Sequence, residues 1–438
     1  MTTLHDRLVD LAEAVPVALP APGLWDRGLR YRRRRQVGTA VVLAVAVAAF
    51  AALGSITWLR SPQAFEPAPA SSEPALPNRL FVPSPWLPGT RDAGPLGTLA
   101  AVVSSGRGSW SGISEQLAPV GVSGVTGEYR FLDLPGLVPE PGFGSWALAP
   151  DGEHVAYLYR EDGADLSGGL ASGLAVYDTS TGDLRRHRLP GDRGILANKL
   201  LWAGDDTVVL SYGTVLSTDE GIGTEIGTPL AWHLDESEPH SLTGFPRNRS
   251  LVGAGPGFVV GTNDADRFVI ADTTTGAVRR EFRMDGKNGW FPPAVADTQA
   301  QVAAMPGNRT PNLVLAGATA PSPVQLHKVT QARLTFAVLA WADDQHVAVR
   351  QQQAEAGERF DVALSDLALV DVATGDSTVV LHDAPSDVQV AADLLGQPTV
   401  EAVEPPHPLD PRRVACLGVG LVLVAGWVLI LWRRRVRP

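Results

Sequence analysis

Two short patterns recur through the middle of this 438-residue chain, and they restrict what it can fold into. The first is a tryptophan, then an aspartate in a tight turn, then alternating apolar residues. It runs Trp146-Ala-Leu-Ala-Pro-Asp151-Gly152 before HVAYLY, Trp202-Ala-Gly-Asp205-Asp206 before TVVLSY, and Trp341-Ala-Asp343-Asp344 before QHVAV. The second is a strand-like run that closes in Asp-x-x-Thr-Gly, at Asp178–Gly182, Asp272–Gly276 and Asp371–Gly375. Alternating apolar residues make half-buried strands. An aspartate bonds to the backbone across a turn, and glycine takes the left-handed conformation there. Both patterns therefore predict hairpins.

Their spacing gives the repeating unit. Asp178 to Asp272 is 94 residues and Asp272 to Asp371 is 99, so each gap holds two units of about 48. Trp202 to Trp341 is 139 residues, or three units of about 46. Four-stranded repeats of this length are the blades of a β-propeller. Residues 98–405 have room for 6.4 units, which predicts an all-β propeller of six blades, with seven the alternative. The stretches SWALAPDGEHVAYLY and GLAVYDTSTGDLRRHRL, within 145–189, resemble the repeats of TolB-like and WD40-like propellers. That resemblance implies a fold and little about chemistry, because propellers host many functions. Trp146, Trp202 and Trp341 are expected to pack between blades, and His154 and His346 to be ordinary blade residues.

The chain ends predict where the propeller is held. Arg30, Arg32, Arg33, Arg34 and Arg35 precede an uncharged run at 37–59, and a second uncharged run at 414–432 precedes Arg433, Arg434, Arg435 and Arg437. Each run is long enough to cross the ~30 Å hydrocarbon core as a helix. Basic clusters stay on the cytoplasmic side. The expected order is a cytoplasmic tail (1–36), a transmembrane helix (37–59), a Pro-rich linker (60–97) and the propeller (98–405). A juxtamembrane linker (406–413), a second transmembrane helix (414–432) and a cytoplasmic tail (433–438) follow. Residues 60–413 are then extracytoplasmic. Thirty-six residues before the first apolar run are long for a cleaved signal sequence, which favours an anchor. Only three lysines among many arginines, with abundant Ala, Gly, Pro and Val, resemble a high-GC bacterial composition, so with the two apolar runs the expected address is a bacterial cell membrane.

Charge narrows the partners. The net charge is −11, yet the two tails carry +3 and +4, which leaves −18 for residues 37–432. Nucleic acid needs a basic footprint and is excluded as a partner. The one cysteine, Cys416, lies in the second apolar run, so the propeller has no disulfide. In a blade of strands A to D, the A–B and C–D turns share one face and the B–C loops the other. The same register assigns 161–172, 213–229 and 351–366 to B–C loops. The first carries Glu161, Asp162 and Asp165, and the second Asp219, Glu220 and Glu225. The third carries Glu355, Glu358, Asp361 and Asp366 against Arg359. Long loops on a rigid scaffold are where binding concentrates, so these carboxylates form a candidate rim for a basic protein segment, a cation or another envelope ligand.

Catalytic signatures are missing: there is no G-x-S-x-G elbow, no H-E-x-x-H and no Gly-rich phosphate loop. No metal or cofactor set is expected. At the N-terminus Leu4, Leu8, Leu11 and Val15 fall on one face of a short predicted helix. That face could meet a cytoplasmic protein or the inner leaflet. The tail resembles those of actinobacterial membrane proteins associated with extracytoplasmic-function sigma factors. The sequence thus points to a membrane-anchored binding, scaffold or sensor module at the cell envelope. The alternatives are a transmembrane regulator whose tail engages a factor such as a sigma factor, and a propeller-based envelope hydrolase or lyase.

Overall fold

The computed structural model describes residues 73–109, 116–138, 145–161, 166, 170–191, 193–218, 221–247, 249–264, 267–283, 294–299, 301–304, 314–316, 335–351 and 364–408, with 410–412 and scattered positions up to 430. The chain divides into two compact units, 66–408 and a second made of 1–65 with 409–438. In the second unit Cys416, Leu423, Val424, Trp427 and Ile430 are helical. Among the described residues no helix is long and apolar enough to cross a membrane. The predicted span 37–59 and the tail positions Leu4, Leu8, Leu11 and Val15 lie outside the described residues.

Among the described residues, unit 66–408 is all-β apart from one short helix, α1 (Thr90–Ala93), and a 3-10 turn at Ala392–Leu394. It is a β-propeller. The first sheet holds β1 (Leu99–Arg107), β2 (Gln116–Ser123) and β3 (Tyr129–Phe131). The second is β4 (Trp146–Leu148), β5 (His154–Tyr159), β6 (Gly173–Asp178) and β7 (Leu184–Arg188) in that order. The third contains β8 (Ile195–Trp202), β9 (Thr207–Thr218), β10 (Gly221–Ile226), β11 (Leu230–His233) and β12 (His240–Ser241). The fourth begins with β13 (Ser250–Gly255), β14 (Phe258–Asp264), β15 (Arg267–Asp272) and β16 (Val278–Arg283). It continues into β17 (Ala294–Ala296), β18 (Val302–Ala304) and β19 (Val314–Ala316). The fifth is β20 (Thr335–Trp341), β21 (His346–Gln351), β22 (Leu364–Asp371) and β23 (Ser377–Pro385). The last strand, β24 (Gln389–Val390), returns to pair with β1 and completes the first sheet as β24-β1-β2-β3.

Six blades were expected, whereas hydrogen bonding draws five sheets among the described residues. The difference has a local cause. Two antiparallel meanders, β13–β16 and β17–β19, are joined by a parallel pairing of Gly253 with Ala294 and Ala254 with Val295. Small residues let these inner strands approach. A Cβ on Gly255 would collide with the Ala296 carbonyl.

Strands such as β5 and β6 read as nearly continuous apolar runs because they are covered on both faces. Along β5, Val155, Tyr157 and Tyr159 enter one core, while Ala156 and Leu158 enter the next. Side-chain alternation thus splits between two neighbouring sheets. The first core also takes Ala348, Leu367 and Leu381 from the fifth sheet, so it closes the ring. Trp202 and Trp341 fasten neighbouring inner strands. The Trp202 indole N–H donates to the Ala147 carbonyl at 2.8 Å, and that of Trp341 to the Val295 carbonyl at 3.3 Å.

The Pro-rich segment is more than a spacer. Leu76, Leu80 and Leu87 are buried in the ring-closing core. This incoming segment also lies beside the outgoing one: Asn78 donates its N–H to the Val400 carbonyl at 2.8 Å, and Val400 to Leu76 at 3.0 Å. Both ends reach the β2–β3 turn, where Ala75 donates to the Gly124 carbonyl and the Val403 side chain packs over Gly127.

Candidate functional site

The three Asp-x-x-Thr-Gly turns predicted by pattern share one construction. The Asp178 carboxylate accepts the N–H groups of Ser180 and Thr181 at 2.8 and 2.9 Å, and Gly182 stands at φ +80°. Asp272 does the same for Thr274 and Thr275, and Asp371 for Ala373 and Thr374. These aspartates therefore shape turns.

The A–B turns bring other carboxylates together. Asp205, Asp206 and Asp393 line a shallow cavity of about 300 Å³ with Pro150, Gly204, Pro256 and Gly257. The 3-10 turn is held there by Asp393, whose N–H donates to the Pro150 carbonyl at 3.1 Å. Asp151 follows directly. Burial pushes its carboxyl up to about 7, reinforced by Asp205, Glu153 and Asp393 and opposed by the Glu153 N–H. Burial also raises Asp205, with Asp393 and Asp206 adding repulsion, and it raises Asp393. His154, beside Asp151, is lowered by burial. Its ring lies 6.1 Å from that of Trp202. Among the described residues no group of three His, Cys, Asp or Glu side chains is placed to hold a metal ion.

Sequence reasoning recognised Asp151 and Asp205 as turn residues and missed their convergence with Asp393, which is distant in sequence. The only available signal was the fixed offset from each tryptophan, which puts every A–B turn at one end of the ring.

On the opposite face the predicted rim is partly rearranged. Glu161 follows β5 two residues after its end, its carboxylate 3.3 Å from Arg188 and its N–H donating to Ser172 Oγ at 3.0 Å. The 213–229 stretch is no irregular loop: β9 and β10 form a hairpin extension, and Glu225 lies exposed on β10. Asp366 does not belong to a loop. It is buried at the start of β22, opposite Gln351, with His382 Nδ1 3.2 Å from its carboxylate. Asp162, Asp165, Asp219, Glu220, Glu355, Glu358 and Asp361 lie outside the described residues.

No protein-family model matches the chain, and no curated protein does. Several solved structures are similar. A chain in the crystal structure of a mitotic checkpoint complex is 11% identical at a TM-score of 0.36, over 56% of this chain and 65% of that one. The Cps50 (Swd1) β-propeller domain of Myceliophteria thermophila is 11% identical at 0.35, over 64% and 85%. A putative TolB from Agrobacterium tumefaciens is 11% identical at 0.33, over 55% and 81%. This chain therefore spans about two thirds of the checkpoint-complex chain. At such scores the strand order carries the fold.

Proposed function

We propose that this protein is a membrane-anchored β-propeller of the bacterial cell envelope whose loop face binds a protein partner, as a scaffold or sensor. The observation that carries this reading is the meeting of the incoming and outgoing segments at the β2–β3 turn. That turn shares the face of the A–B turns. The ends of this unit therefore emerge together at one face, and the hairpin and long connections lie on the opposite one. The apolar helical positions Leu423, Val424, Trp427 and Ile430 are all more than half exposed, which supports a lipid-facing segment at 414–432. Taking β13–β16 and β17–β19 as separate blades gives a six-bladed ring.

The test is capture from native membranes with the full chain. Nine rim carboxylates, Glu161 through Asp361 without the buried Asp366, are changed to their amides. Loss of the captured partner is expected. Unchanged capture, with the protein still folded and in the membrane fraction, would overturn the loop face as the binding site.

A further inference from the structure

Sheet edges are hazardous because their free N–H and C=O groups template further strands. Among the described residues, this propeller protects nearly all of its outer edges. β7 carries Arg185, Arg186 and Arg188, and β16 carries Arg279, Arg280 and Arg283. β12 has two residues and β19 three. The incoming segment covers the other two: Phe131 of β3 donates to the Pro88 carbonyl at 3.0 Å, and His382 of β23 donates to Asn78 at 2.9 Å.

β10 is the exception. It forms the end of the third sheet, with no strand beyond it among the described residues. It is six residues long, Gly-Ile-Gly-Thr-Glu-Ile, with no Lys, Arg or Pro. The register pairs Gly221 with Thr218 and Ile226 with Gly213, and Gly227 donates its N–H to the Tyr212 carbonyl at 3.0 Å. Hydrogen-bonded and open pairs alternate in an antiparallel ladder. Gly221, Gly223 and Glu225 therefore bond inward to β9, and the N–H and C=O groups of Ile222, Thr224 and Ile226 point outward. Leu196, Leu216 and Ile226 are 41%, 42% and 64% exposed. They are half of the six exposed large apolar side chains in unit 66–408 among the described residues, gathered on the hairpin and the strand beside it.

We infer that β10 receives an extended segment of a partner protein by strand addition. Main-chain hydrogen bonds to Ile222, Thr224 and Ile226 would supply affinity, and side chains at alternate positions specificity. Charge selects the partner. Residues 200–246 hold eight Asp and Glu and no Lys or Arg. The incoming strand therefore alternates β-branched residues with Lys or Arg. A second copy of this chain would bring the same carboxylates against themselves, which disfavours self-pairing. This inference rests on the loop-face reading, since β10 belongs to that face, and it names the chemistry of the partner.

The experiment uses the full chain in mild detergent and a fluorescent peptide, Lys-Val-Thr-Val-Arg-Ile-Thr-Val. Its partner variant is Thr224→Pro, which deletes an outward N–H and no ladder bond to β9. Binding is expected to fall at least about tenfold in Thr224→Pro and in Ile226→Lys. Hydrogen exchange at Ile222, Thr224 and Ile226 is expected to slow when the wild-type chain binds the peptide, a readout that stands even where Thr224→Pro unfolds the hairpin. Absence of peptide binding, or equal binding by both variants, overturns strand addition. So does a wild-type dimer that Thr224→Pro dissociates, because it assigns the edge to a second copy. If Thr224→Pro still captures the native partner while the carboxylate variant does not, the loop face stands and strand addition falls.

Discussion

Single side chains in this ring are exposed to testable pressures. Asp151 is an acid held up at about 7 by burial and by neighbouring carboxylates. Unfolded, it titrates near 3.8. The folded chain thus binds a proton that the unfolded chain has already lost, so this group favours folding below about pH 4 and loses that contribution as pH rises through about 7. Asp151→Asn keeps the oxygen that accepts the Glu153 N–H at 2.8 Å and removes the charge. The variant should match wild type near pH 4 and exceed it at pH 8. Discounted for partial solvent screening, the gain is roughly 1 kcal/mol, or about 1–2 °C in melting temperature. Equal melting curves at pH 8 would remove the mutual repulsion from the account. The tryptophans give a paired comparison. Trp202 donates to the Ala147 carbonyl, but the buried Trp146 Nε1 has no partner among the described residues. Trp202→Phe therefore loses a buried bond, about 1–2 kcal/mol beyond the size change, and Trp146→Phe sheds an unsatisfied donor and should cost less. Urea denaturation of the two variants measures the difference.

At the level of elements, the hairpins were legible because their chemistry is local. Asp178, Asp272 and Asp371 each act within three residues, so a short motif carries the whole turn. What escaped were features set by distant partners. The glycines of Gly-Ile-Gly-Thr-Glu-Ile read as a loop, yet β9 supplies the pairing that makes it a strand. Asp366 reads as a rim carboxylate, yet the β22–β23 pairing brings His382 to it from 16 residues away and buries it. The junction that merges two meanders was equally hidden, since it depends on how closely β13 and β17 approach. That approach can be tested. Gly255→Ala adds a methyl group where the Ala296 carbonyl stands. The strands must separate, at a cost of about 1–3 kcal/mol. Faster amide exchange at Ala294 to Ala296, with β14–β15 unchanged, is the expected signature. Unaltered exchange would mean that the junction tolerates the added carbon.

At the scale of the ring, closure is made by segments from both ends of the unit. β24 contributes only two residues to the first sheet, and side chains supply the rest of the clasp. Gln389 accepts the Leu148 N–H at 2.7 Å and donates to the Trp146 carbonyl at 2.9 Å, so its amide stands in for a strand against β4. Asp387 accepts the Ser104 N–H at 2.8 Å, and Arg350 donates to the Ser386 carbonyl. The incoming segment matters as much. Leu76, Leu80 and Leu87 are each under 5% exposed in the closing core, and burying a leucine is worth roughly 2 kcal/mol. Three of them therefore rival the 5–15 kcal/mol that holds a typical domain together. The repeat pattern alone would start the domain at residue 98, because the motif-bearing blades begin after it and prolines suggest a spacer. A fragment cut at 98–405 exposes the closing core and leaves the edges of β3 and β23 bare. It should aggregate or melt without a cooperative transition, whereas 73–408 should melt cooperatively. Circular dichroism melts of the two fragments decide the matter: equal cooperativity would show that the ring closes without its N-terminal brace.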